Sequence, residues 1–213
     1  MNAEIKFVFF DMGKVLLNFD HQRMIDQVAL LAKVSPGEME KILLQPPDEI
    51  ENRFERGALN GDEFHSSLCE IVGCKIEKDA LMVALADIFW LNTPIVHIVT
   101  QLRGMNFPIA ILSNTCSAHW DFVKSEFALI NLFDERVLSY EERSMKPDGK
   151  IYQSAIKMAK RLTGCEAGEI FFVDDKQENV DAARAAGMQA ELFVSARKLA
   201  SQLAAGGVPM GGG

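Results

Sequence analysis

Cysteine is scarce: the chain has four, Cys69, Cys74, Cys116 and Cys165, and none forms a close metal-type pair. That argues against a zinc ribbon or a disulfide framework and leads us to expect a reducing, cytoplasmic setting. Long apolar runs are missing as well. No stretch approaches the roughly 18 to 20 residues needed to cross a bilayer, and the N-terminus lacks the basic, apolar and small-residue regions of a signal peptide. Positive charge is in deficit, with 22 basic against 30 acidic residues and a formal charge of −8, so nucleic acid and anionic lipid are poor partners. What remains is ordinary globular usage over 213 residues, 48% hydrophobic and 24% charged, enough for one substantial domain or a core with a small insert.

Residues 5 to 10, Ile-Lys-Phe-Val-Phe-Phe, form an almost unbroken apolar and aromatic run that suits a parallel strand covered on both faces. Similar runs lie at Phe107 to Leu112, Arg136 to Ser139, Glu169 to Val173 and, more weakly, Gln189 to Val194. Helical patterns separate them. Thr93-Pro94 opens one as N-cap and first-turn proline, with Gly104 as its stop, and Ile151 to Leu162 and Asn179 to Ala186 form others. Such alternation predicts an α/β fold with a three-layer, Rossmann-like parallel sheet.

From about His21 to Leu91 the alternation stops and amphipathic stripes replace it: Met24, Val28 and Leu31, then a helix opened by Ser35-Pro36, then Phe64, Leu68, Ile71 and Val72. No strand is expected there. The organisation read from the sequence is an α/β core over 1–17 and 92–203, an inserted α-helical cap over 18–91, and a flexible, glycine-rich tail over 204–213.

In an open parallel sheet, ligands bind beyond the carboxyl ends of the strands, so polar residues that directly follow apolar runs are the candidates. They are Asp11, Ser113-Asn114-Thr115, Lys146-Pro147 and Asp174-Asp175. Asp11 and Asp174 at neighbouring strand ends would concentrate negative charge, which favours a hard cation with oxygen ligands such as Mg²⁺. Lys146 can balance charge and Ser113 can donate a hydrogen bond, which leaves Asp11 to attack phosphorus.

Phe10-Asp11-Met12-Gly13-Lys14-Val15-Leu16, Ile111-Leu112-Ser113-Asn114-Thr115, Lys146-Pro147-Asp148 with Ile151-Tyr152, and Phe172-Val173-Asp174-Asp175 with Glu178-Asn179 resemble the four motifs of the haloacid dehalogenase superfamily, in order and spacing. The insert resembles that superfamily's small helical cap, and Phe54-Glu55-Arg56-Gly57 followed by Phe64 is similar to the cap segment of its sugar-phosphatase branch. The resemblance implies Asp11 as nucleophile, Lys146 as charge-balancing lysine, and Ser113 and Asn114 against the phosphate. It also implies Mg²⁺ held by Asp11, the Gly13 carbonyl, Asp174 and Asp175. Arg56 is a weaker candidate for substrate contact from the cap, with Glu55 beside it. Glu178 and Asn179 are expected to organise their loop, and the histidines, His119 among them, to be structural.

One position departs from that pattern. Most phosphatases of the superfamily carry an aspartate acid–base two residues after the nucleophile, where this chain has Gly13. The backbone carbonyl survives, but the proton-transferring group does not, a loss felt least with a good leaving group. The Asp-x-Gly variant resembles glucose-1-phosphate phosphatases, whose anomeric oxygen leaves readily. The expected function is therefore an Mg²⁺-dependent phosphatase of a small phosphate ester such as a hexose 1-phosphate, acting through an aspartyl-phosphate. The alternatives are a catalytically silent phosphate-binding protein and a 2-haloacid dehalogenase. Asp20 and His21, at the entry to the cap, are the nearest groups in sequence that could supply the proton, although a turn and a helix N-cap are their plainer reading; which group acts, the substrate and the oligomeric state are not specified by the sequence.

Overall fold

Strand register places the chemistry. A computed structural model of the chain describes residues 3–46 and 49–210. In chain order the elements are β1 (Phe7–Phe10), β2 (Leu17–Phe19), α1 (His21–Ala32), α2 (Pro36–Leu44), α3 (Ile50–Glu55), α4 (Gly61–Val72), α5 (Lys78–Ala86) and β3 (Phe89–Leu91). There follow α6 (Thr93–Gly104), β4 (Ile109–Ser113), α7 (Ser117–Glu126), β5 (Glu135–Leu138), α8 (Ser139–Glu142), α9 (Gly149–Thr163), β6 (Ile170–Asp174), α10 (Gln177–Ala185), β7 (Gln189–Leu192) and α11 (Ala196–Ala205).

The main sheet is five-stranded and parallel in the order β5-β4-β1-β6-β7. Because side chains alternate along a strand, the apolar run of β1 serves both faces. Val8 and Phe10 pack with Ile98, Val99 and Leu102 of α6, Trp120 and Val123 of α7 and Leu199 and Leu203 of α11. Phe7 and Phe9 pack with Ile151, Tyr152 and Ala155 of α9 and Val180 and Ala183 of α10. This is the three-layer α/β arrangement that the sequence pattern predicts.

Helices α1 to α5 share a separate core that includes Met24, Met39, Leu43, Phe64, Leu68 and Leu81, with Phe54 stacked on Phe64 at 4.8 Å. Their starts are set locally. Ser35 caps α2 ahead of Pro36, and Asn60 forms a reciprocal capping box with Glu63 at α4, a device worth about 1 kcal/mol.

The structure corrects two expectations. The insert is expected to hold no strand, yet Phe89–Leu91 pairs antiparallel with Leu17–Phe19 and makes a ribbon where the chain leaves and re-enters the core. Three residues are too few to show a period. The tail is expected to be flexible from residue 204, but α11 continues to Ala205, the Gly206 carbonyl accepts the Ile5 N–H at 2.8 Å, and Val208 is 2% exposed. Burial of Val208 in the core cluster outweighs the glycines around it. Residues 211–213 lie outside those described.

The cap rests directly on the core. The Ser139 hydroxyl donates to the Glu55 carbonyl at 2.6 Å and accepts the Thr115 N–H at 2.8 Å. Two residues on, Gly57 has φ +71°, and a Cβ there would meet the Tyr140 carbonyl oxygen at 2.3 Å. Only glycine permits that backbone approach.

Candidate active site

In the register of the central strands Phe10 faces Val173, so Asp11 and Asp174 stand level at the ends of adjacent strands, and the Asp11 N–H is bonded to the Val173 carbonyl at 2.9 Å. Asp175 follows. Single carboxylate oxygens of Asp11, Asp174 and Asp175 lie within 4.8 Å of one another.

Lys146 completes the cluster. Its Nζ is 2.8 Å from Asp11 Oδ1, 2.6 Å from Asp174 Oδ2 and 3.1 Å from the Leu112 carbonyl, and its side chain is 1% exposed. Burial acts to lower its pKa, but the two carboxylates outweigh burial and hold the ammonium above its ordinary range. Burial, countered by Lys146 and reinforced by Asp174, pushes Asp11 up to about 7. Burial, then Asp174, raises Asp175 as well.

Three carboxylates against one ammonium leave an acidic excess that a divalent cation would relieve. The donor set, all oxygen, suits Mg²⁺ rather than a softer metal. Asn179 supports this fit. Its Nδ2 donates to both Asp174 oxygens at 3.0 and 3.1 Å, while its Oδ1 is buried without a partner among the described residues, an acceptor left open beside the cluster. Asp174 Oδ1 also accepts the Lys176 N–H at 2.8 Å. The loop-organising role expected of Asn179 thus takes the form of a direct clamp on Asp174, while Glu178 faces solvent.

Asn114 lines the cavity above this cluster. Its side-chain amide closes a reciprocal pair with the Lys146 backbone, Nδ2 to the carbonyl at 2.9 Å and Oδ1 from the N–H at 2.8 Å. The pair fixes the lysine and uses one of the two Nδ2 hydrogens. Ser113 ends β4, and its hydroxyl donates to the Asn114 carbonyl at 3.2 Å, a bond that must open before it can donate to a ligand.

The cavity above the cluster holds about 240 Å³. Asp11, Gly13, Lys146 and Asp175 form its floor, and the cap and ribbon supply Phe19, His21, Asn52, Glu55, Ile88 and Phe89. One wall is a chain of rings: His21 against Phe19 at 4.8 Å, Phe19 against Phe89 at 6.0 Å, and Phe89 edge-on to His119 at 5.3 Å. Burial drops His119 to about 4, so its ring is neutral, with Nε2 donating to the Leu85 carbonyl at 3.2 Å.

Arg56 is not in this cavity. It caps the end of the short helix α3 and turns outward, where it pairs with Asp148 at 3.3 Å. The residue that faces in is its neighbour Glu55, with Asn52 one turn earlier on α3. Asp20 is the N-cap of α1, accepting from the Gln22 and Arg23 N–H groups, and is occupied there. Phe19, His119, Phe89 and Lys176 carry no marker in the sequence as wall residues.

Comparison with known proteins agrees with this architecture. The family model for a haloacid dehalogenase-like hydrolase matches residues 5–187. The chain is 26% identical over 193 residues, 88% of its own length, to a sesquiterpene phosphatase of Aspergillus oryzae, of which it covers 89%. It is also 25% identical over 203 residues, 93% of its length, to a drimenol cyclase of Aspergillus calidoustus, of which it spans only 36%. Among solved structures, the complex of a wild-type haloacid dehalogenase family enzyme from Bacteroides thetaiotaomicron with magnesium and inorganic phosphate superposes with a TM-score of 0.74 at 25% identity, covering 90% of this chain and 95% of that one. No helix among the described residues is long and apolar enough to cross a membrane. With residues 5–187 matched and the fold shared, the chain belongs to the haloacid dehalogenase-like hydrolases.

Proposed function

We propose that this hydrolase is an Mg²⁺-dependent phosphatase of a small phosphorylated metabolite, with Asp11 as nucleophile. The observation that carries this reading is the convergence of Asp11, Asp174 and Asp175 around one point, with Lys146 bridging the first two. The magnesium-and-phosphate complex of the Bacteroides relative supports it.

Asp11 Oδ1 is held by the Met12 N–H at 2.7 Å and by Lys146, which fixes the carboxylate's rotation and leaves Oδ2 to attack phosphorus in line. Mg²⁺, held by Asp11, the Gly13 carbonyl, Asp174 and Asp175, would neutralise a phosphate oxygen. Lys146 restrains Asp11 before attack and stabilises charge on the transferring group. Asn114 fixes the Lys146 backbone and Asn179 fixes Asp174, so neither charged group needs to reorganise during transfer. Asp11 then carries the phosphoryl group until water attacks phosphorus, two easier steps replacing one difficult one.

For the leaving group we favour a sugar phosphate such as a hexose 1-phosphate. Asn52, Glu55 and Lys176 can serve its hydroxyls, while Phe19 and Phe89 can pack on its C–H face. The ring-lined wall and the Aspergillus oryzae relative favour a second reading, an isoprenoid monophosphate. A dehalogenase gains nothing from Asp174 and Asp175, since a halide leaving group needs no cation. We place the enzyme in a reducing, cytoplasmic setting, where its four free thiols would persist.

The test is hydrolysis of a panel comprising hexose 1- and 6-phosphates, farnesyl monophosphate, phosphoglycolate and pyridoxal phosphate, with Mg²⁺ and with EDTA. We expect turnover of at least one ester that disappears in EDTA and in Asp11→Asn. Metal-independent turnover, or an active Asp11→Asn enzyme, would overturn the reading.

A further inference from the structure

Gly13 leaves the leaving-group side of the cavity without the usual acid, and the cap offers a carboxylate in its place. Glu55 lines the same cavity as Asp11 and Lys146. Among the described residues its carboxylate makes no hydrogen bond or ion pair, unlike Asp20 and Asp148, which are occupied. Its backbone is tied to the core: Ser139 Oγ donates to its carbonyl at 2.6 Å, and Gly57, two residues on, lies flush against Tyr140. The same Ser139 hydroxyl accepts the Thr115 N–H in the loop after β4. The backbone of Glu55 is therefore tied to the core that carries the reacting centre, and its side chain lines the cavity over Asp11.

We propose that Glu55 is the catalytic acid and base of this enzyme, delivered by the cap in place of the aspartate that position 13 lacks. As Asp11 attacks and the bond between phosphorus and the ester oxygen breaks, the Glu55 carboxyl gives its proton to that oxygen and the alcohol departs neutral. In the second step the Glu55 carboxylate takes a proton from the water that attacks phosphorus, which releases inorganic phosphate and restores both Asp11 and the protonated Glu55. No further reactant is needed.

The surroundings suit a group that must pass between both forms near neutrality. Burial raises Glu55 to about 7, with Lys176 and then Lys146 pulling the other way. Glu51, one turn back on α3, is 6% exposed with Oε1 unpartnered among the described residues, and burial and then Glu55 push it well above its ordinary range. The Cys116 thiol, also raised by burial, lies near both acids and is neutral, and His119 across the cavity is neutral too. Asp11, Asp175 and His21 line the same cavity, and the charges that shift Glu55 most are those of Lys176 and Lys146.

This rests on the phosphatase reading above, and the experiment separates the two. Wild type, Glu55→Gln and Glu55→Asp are assayed with Mg²⁺ on p-nitrophenyl phosphate, whose leaving group needs no proton, and on β-glycerophosphate, whose leaving group does. We expect Glu55→Gln to lose about 10²- to 10⁴-fold in kcat/KM on β-glycerophosphate and less than about 10-fold on p-nitrophenyl phosphate. Glu55→Asp should recover part of the loss, and the decline of wild-type activity above pH 7 on the alkyl ester should be absent in Glu55→Gln. Equal losses on both esters, no loss on either, or a wild type that cleaves only the aryl ester would overturn the proposal. A wild type that cleaves neither would instead remove the phosphatase reading itself. Should Glu55→Gln fail to fold, Glu55→Asp decides by the same ratio of the two esters.

Discussion

Phe19 fills the space that a side chain at position 13 would need: an ideal Cβ on Gly13 stands 2.8 Å from Phe19 Cε1. The ring cannot simply swing away. Lys14 Nζ lies 4.3 Å from its centroid and donates to its backbone carbonyl at 2.8 Å, and His21 and Phe89 bracket it. An aromatic wall therefore occupies the space that a side chain at position 13 would take.

Gly13→Ala should accordingly lose about 1–3 kcal/mol through overpacking. In a chain of this size that lowers the melting temperature by about 2–4 °C for each kcal/mol. Gly13→Ala combined with Phe19→Leu should recover most of the loss. A Gly13→Ala protein that melts like wild type would show that Phe19 yields freely.

Lys146 neutralises two carboxylates that are otherwise buried, at 1% exposure of its own side chain. Lys146→Met should abolish turnover and lower unfolding stability by about 3–5 kcal/mol in EDTA, the range for a broken buried pair. Urea midpoints should show that deficit shrinking in millimolar Mg²⁺, because a cation takes over part of the charge balance. An identical deficit with and without Mg²⁺ would contradict the shared-site reading.

His119 gives a stability signature. Burial places its folded pKa at about 4 against 6.5 for the free side chain, so the unfolded chain binds the proton first as pH falls. Its contribution is fully present above pH 6.5 and is lost progressively down to pH 4, about 3 kcal/mol in all. The difference in stability between wild type and His119→Gln should change with that slope between pH 6.5 and 4 and be flat above. A difference independent of pH would show that the ring is not held neutral.

Arg56 should matter little. Its pair with Asp148 has both side chains about half exposed, 49% and 54%, and exposed pairs contribute about 0–1 kcal/mol. Arg56→Ala should leave the Michaelis constant for the preferred ester within about 3-fold of wild type and melting nearly unchanged. A Michaelis constant raised about 10-fold or more would restore Arg56 as a substrate contact.

The parts of this architecture legible in the sequence are those set by local pattern. The run around Phe7 to Phe10 announces a doubly covered strand, and a charged residue directly after each such run, Asp11 or Asp174, follows from the strand-end rule. That the two stand side by side depends on Phe10 facing Val173, which the order of strands decides and no single segment reveals. The cavity walls are hidden for the same reason. Phe19 and Phe89 meet only because two three-residue strands pair across some seventy residues of insert. Arg56 and Glu55 show a finer limit: a charged pair at the end of a short helix points in two directions, and only the folded chain shows that Glu55 lines the cavity while Arg56 pairs with Asp148. The tail misleads through composition, since Val208 is buried in the core cluster that also holds Ile5.

The most direct test of the central claim is to quench the Mg²⁺-loaded enzyme in acid during turnover of a ³²P-labelled substrate ester and to map the label by proteolysis. The account predicts an acid-stable, hydroxylamine-labile phosphoryl group on the peptide bearing Asp11, absent from Asp11→Asn and from enzyme in EDTA. Substrate consumption with no label on that peptide under single-turnover conditions, or label on a different residue, would contradict it.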